Sequence, residues 1–261
     1  MKLNYFENKI NRAEEAKQHT RDMEKLFKEE ITDSVKHVCE YEGIPEYTGE
    51  HEKVTKILLD KMDSVSAVFK YAEGKTAVLN FASFKNPGGK FLEGSSAQEE
   101  SLCGESFLYN VLIRFKTSWY EKNANRLNRG LYQNRALYVP GVVFVKDGNT
   151  MVSGVITCAS PNKSLMTRYF SFTEEENSAA LESRIEMVLA MAADQRVDTL
   201  ILGAFGCGVF AQDASEVAGI FRRFLDGKYS GVFSKVVFAV PQFSERDTNY
   251  AAFEKEFVTG C

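Results

Sequence analysis

Five short runs rich in β-branched and other apolar residues fall between residues 75 and 241: KTAVLNFAS, RALYVPGVVFV, GVITCAS, TLILGAFG and KVVFAVP. Each is bounded by Gly, Asn, Asp or Pro, and runs this apolar predict strands buried on both faces. Helical periodicity over Ala97–Lys116, Glu174–Ala193 and Asp213–Leu225 separates most of them, giving the order strand, helix, strand, strand, helix, strand, helix, strand. That alternation restricts the chain to an α/β fold, a mixed or mainly parallel sheet flanked by helices on both faces. Ahead of it, Ile10, Ala13, Ala16 and Met23 recur at mostly helical intervals among charges, predicting an amphipathic helix from Leu3 to about Glu30. A turn-rich patch at Gly43, Pro45 and Gly49 precedes Val54, Ile57, Leu58 and Met62, whose spacing also predicts helix. The expected organisation is an N-terminal helical extension, residues 1–64, packed on a main domain of residues 65–261 that a last helix closes at about Thr248 to Phe257.

Charge and cysteine usage remove whole classes of function. Lys+Arg 32 against Asp+Glu 36 leaves a net charge of -4, so no global positive field exists to hold a nucleic-acid duplex. Five cysteines, Cys39, Cys103, Cys158, Cys207 and Cys261, are scattered with no CxxC pair, which indicates neither a disulfide framework nor a zinc knot and fits the reducing cytoplasm. The charged N-terminus has no apolar signal region, and no apolar stretch is long enough to span a membrane. His19, His37 and His51 lie apart in the extension without spaced ligand partners, so no metal site is expected. Cys103 and Cys207 lack a neighbouring histidine to activate them and read as small packing residues. Tyr109, Trp119, Tyr120 and Tyr132 read mainly as core aromatics.

In an open α/β sheet, ligands bind beyond the carboxyl ends of the strands. Two such places are unusual here. After AVLNFAS, where Asn80 ends its strand, comes Asn86-Pro87-Gly88-Gly89-Lys90, followed by a helix that opens with Gln98-Glu99-Glu100. After TLILG comes Ala204-Phe205-Gly206-Cys207-Gly208-Val209-Phe210, then another helix. Paired glycines let backbone N–H groups approach a ligand unobstructed, and a helix N-terminus adds orphan donors suited to a diphosphate. Neither loop has the Gly-Lys-Ser/Thr of a Walker loop or the GxGxxG dinucleotide spacing.

Taken in order, Pro87-Gly88-Gly89, Gln98-Glu99-Glu100, Pro140-Gly141-Val142, Ala159-Ser160-Pro161-Asn162 and Gly203–Phe210 resemble the landmarks of the bacterial-type poly(ADP-ribose) glycohydrolases. The resemblance covers roughly Thr76 to Pro241, and the N-terminal helical part more loosely. It implies a macrodomain-like fold with a helical extension, no metal or other cofactor, and hydrolysis of the ribose–ribose bond in ADP-ribose polymer. By the same resemblance Glu100 is the acid-base residue and Glu99 holds neighbouring ribose hydroxyls, with Gln98 supporting the arrangement. Adjacent helix residues point about 100° apart, which fits a division of labour between the two carboxylates. Gly88 and Gly89 give backbone approach to ribose and diphosphate, Gly206, Cys207, Gly208 and Val209 form a second clamp, and Phe210 walls the distal ribose. Asn80 either bonds within the site or pins the loop. The chain departs from the family where a third successive glycine is usual and Lys90 stands instead; its side chain either reaches over the diphosphate or crowds the terminal ribose. The expected partner is ADP-ribose or an ADP-ribosylated macromolecule. Removal of single ADP-ribose units from protein or nucleic acid, and ADP-ribose binding without cleavage, stay open beside polymer hydrolysis.

Overall fold

The computed structural model describes residues 2–49, 51–242, 244 and 247–258. Seven strands form one sheet in the order β1-β4-β5-β3-β6-β7-β2. Their ranges are β1 Cys39–Glu42, β2 Lys56–Asp60, β3 Thr76–Phe81, β4 Arg135–Lys146, β5 Asn149–Cys158, β6 Thr199–Leu202 and β7 Lys235–Ala239. The antiparallel pairs are β1 with β4 and β4 with β5; from β5 through β3, β6 and β7 to β2 the pairing is parallel. The five apolar runs supply β3 to β7 as expected. Two buried clusters lie on opposite faces of the sheet, the three-layer arrangement that hides strands without a polar side.

Helices α1 (Lys2–Leu26), α2 (Lys28–Lys36), α3 (Ser64–Tyr71), α4 (Gln98–Gly104) and α5 (Leu108–Leu112) serve one face. A short turn α6 (Glu121–Asn123) and α7 (Lys163–Tyr169) lie in connections, while α8 (Glu174–Asp194), α9 (Ala214–Asp226) and α10 (Asn249–Phe257) pack on the other face. The helical period expected over Ala97–Lys116 is interrupted between α4 and α5. There Ser106 Oγ donates to Leu102 O (2.6 Å) and accepts from Leu108 N (3.0 Å), so a side chain competes for backbone bonds and turns the chain.

The stretch from Val54 to Met62 is not helix, which corrects the reading of its spacing. Residues Lys56–Asp60 are strand β2, paired in parallel with Lys235–Ala239. Without β2, the apolar β7 would be a bare sheet edge whose backbone groups need partners, and that long-range demand overrides a short local period. Cys39–Glu42 likewise adds an edge strand beside β4. Pro140-Gly141 interrupts the β4/β5 register between Val139 and Val142, since Pro lacks a donor and Gly141 has φ +66°.

Candidate active site

Because β5, β3 and β6 are neighbours running the same way, the loops after them meet at the carboxyl edge of the sheet centre. The loop after β3 carries the carboxylates. Gly88 and Gly89 have φ +67° and +60° and let it fold over the start of α4. A Cβ on Gly89 would lie 2.6 Å from Glu100 Oε1 and 3.0 Å from Glu99 Oε2, so the missing side chain is what leaves both carboxylates accessible from the loop. A Cβ on Gly88 would strike Tyr109 at 2.6 Å.

Glu99 and Glu100 are buried at 3% and 8% exposure. Glu99 accepts from Ser83 N (2.7 Å) and Asn80 Nδ2 (3.3 Å). Burial pushes its pKa up to about 8, and the charge of Glu100 adds to the rise; the N–H of Ser83, the Asn80 amide and the N–H of Gly88 oppose it. Glu100 accepts from Lys90 N at Oε1 (2.9 Å) and Ala97 N at Oε2 (3.0 Å), closing the helix start against the glycine loop. Gln98 faces inward: Oε1 accepts from Phe81 N (2.9 Å), while Nε2 donates to Leu79 O (2.8 Å) and Ser64 Oγ (3.0 Å). It thus ties α4 to β3 and α3, behind the carboxylates. Asn80 is fully buried, bonded to Glu99 and to Thr157 Oγ1 (3.4 Å), and its Oδ1 has no partner among the described residues.

Lys90 has φ -114°, a conformation open to any residue, so the backbone does not require glycine there. Its side chain is exposed.

In the loop after β6, Gly206 has φ +79°, and a Cβ on it would lie 2.3 Å from Ser160 Oγ, which seats this loop against the one after β5. Gly208 and Val209 are exposed, and the N–H groups of Gly208, Val209 and Phe210 donate to no backbone carbonyl among the described residues. Burial pushes the Cys207 thiol up to about 12 and the Cys103 thiol well above its usual range, which suits neither to nucleophilic attack. Cys39, Cys103, Cys158 and Cys207 are free, and Cys261 lies outside the described residues. His19 and His51 bond the carbonyls of Ser106 and Ser230, and His37 that of Asp33.

Sequence reasoning placed Phe210 at the rim but missed Phe84 and took Tyr132 for a core aromatic. Tyr132 stacks on Phe84 with centroids 4.4 Å apart and meets Phe210 at 6.3 Å, forming a cluster apart from the two main cores. Asn128, Arg129 and Tyr132 all have positive φ, a concentration of backbone strain beside the site. Asn128 is a residue type that tolerates positive φ, but Arg129 and Tyr132 gave no such sign. Trp119 and Tyr120 are buried, with the Arg135 guanidinium 3.9 Å above the Trp119 ring.

The family described as microbial-type PARG, catalytic domain, matches residues 7–147. The chain belongs to this family. The poly(ADP-ribose) glycohydrolase of Thermomonospora curvata is 28% identical with a TM-score of 0.84, covering 95% of this chain and 99% of that one. The same enzyme bound to the inhibitor ADP-HPD gives 28% and 0.83 over the same shares. The Deinococcus radiodurans PARG in complex with ADP-ribose is 27% identical with a TM-score of 0.79, covering 88% of this chain and 98% of that one. No curated protein sequence matches the chain. PARG membership makes the protein a glycosidase, and the seven-stranded sheet flanked by helices is the macrodomain-like fold expected of a PARG. Among the described residues no helix is long and apolar enough to cross a membrane.

Proposed function

We propose that this PARG releases ADP-ribose from poly(ADP-ribose) by hydrolysing ribose–ribose O-glycosidic bonds, with Glu100 as acid-base residue and Glu99 as the carboxyl that holds the adjoining ribose. The observation that carries the assignment is the pair of buried, adjacent carboxyls that both face the position a side chain on Gly89 would take. Cleavage at an anomeric carbon needs a proton for the departing oxygen and a base for the incoming water. Glu100 gives a proton to the leaving ribose oxygen as its bond to the anomeric carbon breaks. The resulting carboxylate then takes one from the water that adds to that carbon, restoring the acid. Glu100 is the more exposed of the two, and Glu99 is more deeply held by Asn80 and Ser83, which supports this division.

Gly88 and Gly89 give the ribose backbone contact, while the free N–H groups of Gly208, Val209 and Phe210 suit the diphosphate. Asn80 and Gln98 hold the carboxylates from behind. Exposed Lys90 stands at the mouth, where it meets substrate without disturbing the loop. The free cysteines support a reducing, cytoplasmic setting. Incubation with purified poly(ADP-ribose) tests the reading: free ADP-ribose should appear with the parent and not with Glu100→Gln. A parent that binds ADP-ribose yet releases none from polymer or modified protein would be a reader instead.

A further inference from the structure

Helix α8 is mostly aliphatic where it is buried, but two of its polar side chains are also sealed from solvent, Asn177 at 0% and Arg184 at 1% exposure. They are separated by two helical turns and so share a face. That face meets the undersides of the loops described above. The Asn177 amide exchanges hydrogen bonds with Gln212 (3.0 and 2.9 Å), whose Nε2 also donates to Pro161 O (2.8 Å). Two turns on, Arg184 Nε donates to Asn134 Oδ1 (2.9 Å), Nη1 to Ala159 O, and Nη2 to Leu131 O (3.4 Å).

Every one of these acceptors is a neutral oxygen. The other fully buried guanidinium, that of Arg135, pairs with Glu42, but Arg184 has no carboxylate within 4.0 Å among the described residues. A guanidinium removed from water without a counter-ion is costly, and its field in the low-dielectric interior is strong. The charge sits at the foot of the rim, beneath the Ala159–Asn162 turn and the Leu131–Tyr132 segment that carries the aromatic cluster. A trans peptide points its C=O and N–H in opposite directions, so the Ala159 carbonyl drawn toward α8 turns the Ser160 N–H away from it.

We propose that Arg184 is a positioning residue for the diphosphate of bound ADP-ribose: it fixes the rim carbonyls inward and provides, from below, a positive charge whose counter-ion is the ligand's phosphates. The proposal rests on the ADP-ribose reading of the site.

Calorimetry with two ligands, ADP-ribose and the neutral adenosine, tests it on the whole chain. Arg184→Gln keeps a hydrogen-bond donor and removes the charge, so ADP-ribose affinity should fall roughly tenfold or more while adenosine affinity stays within about twofold. Arg184→Lys keeps the charge and should hold ADP-ribose affinity within about threefold of the parent. Unchanged ADP-ribose affinity in Arg184→Gln overturns the proposal, as does equal loss of both ligands, which marks a mere tether. Should Arg184→Gln not fold, Arg184→Lys decides alone: near-parent affinity supports the charge, and a loss beyond roughly tenfold refutes it. A parent that fails to bind ADP-ribose removes the site reading itself, a separate outcome.

Discussion

Gly89 sets how closely a sugar can approach the carboxyl pair. In Gly89→Ala the new methyl would lie 2.6 Å from Glu100 Oε1, on a residue already at φ +60°. The left-handed backbone alone costs about 1–2 kcal/mol for a side-chain-bearing residue, so thermal denaturation should register a lower melting point and polymer turnover should nearly vanish. Glu100→Gln should lower kcat by about 10²–10⁴-fold with ADP-ribose affinity within a few-fold, as measured by single-turnover kinetics and calorimetry. It should also melt earlier. Both Glu100 oxygens accept backbone N–H groups, an amide offers only one oxygen, and a buried donor left unpaired costs about 1–3 kcal/mol. Glu99 has the opposite sign from an ordinary ion-paired carboxylate. Its folded pKa near 8 lies above the usual value, so the native state binds more protons than the unfolded one between pH 4.5 and 8. Its stabilising contribution is complete below that window and declines as pH rises through it, by at most about 1.4 kcal/mol per pH unit. Glu99→Gln should flatten this decline in a denaturant series across pH 5 to 8; an identical pH profile in parent and variant would exclude the raised pKa.

Among the elements, α1 reaches the catalytic loop directly. Arg12 Nε donates to Gly94 O (2.9 Å), and a Cβ on Gly94 would lie 2.0 Å from Lys9 O. Gly94→Ala should therefore push α1 off the loop, lowering kcat on polymer together with the melting temperature although no carboxylate is touched. Unchanged turnover in a stably folded variant would show that the helix is dispensable to the loop. The sequence pattern disclosed α8, α9 and the five central strands because each buries its own apolar period locally, and disclosed α1 although only Ala16 and Met23 of its period are buried and Ile10 stays exposed. It concealed β1 and β2. Cys39–Glu42 alternates only half-buried with exposed positions, and Lys56–Asp60 shares its apolar spacing with a helix, so what decides both is a partner far along the chain. The glycine loops were legible for a similar reason, since Gly88, Gly89 and Gly206 advertise positive φ by residue type, while the carboxylates were read from the family resemblance of Gln98-Glu99-Glu100. Arg184 was not: one charge in a helix otherwise rich in charges reads as solvated until the rim packs over it.

At the scale of the molecule, residues 1–64 contribute more than a preface, because both outermost strands come from them. A fragment starting at residue 65 should expose the free edges of β4 and β7 and be recovered as aggregate, which size-exclusion chromatography of the truncated chain would reveal. A monomeric, active fragment would show that the central five strands suffice. The outer position of β1 and β2 also orders events during synthesis. The N-terminal helices and both edge strands leave the ribosome early, yet β1 must wait for Arg135–Tyr138 and β2 for Lys235–Ala239, the last strand to be made. The earliest strand segments are thus seated long after they are made, β1 once Arg135–Tyr138 has emerged and β2 only when Lys235–Ala239 follows, and until then the nascent chain carries them unpaired.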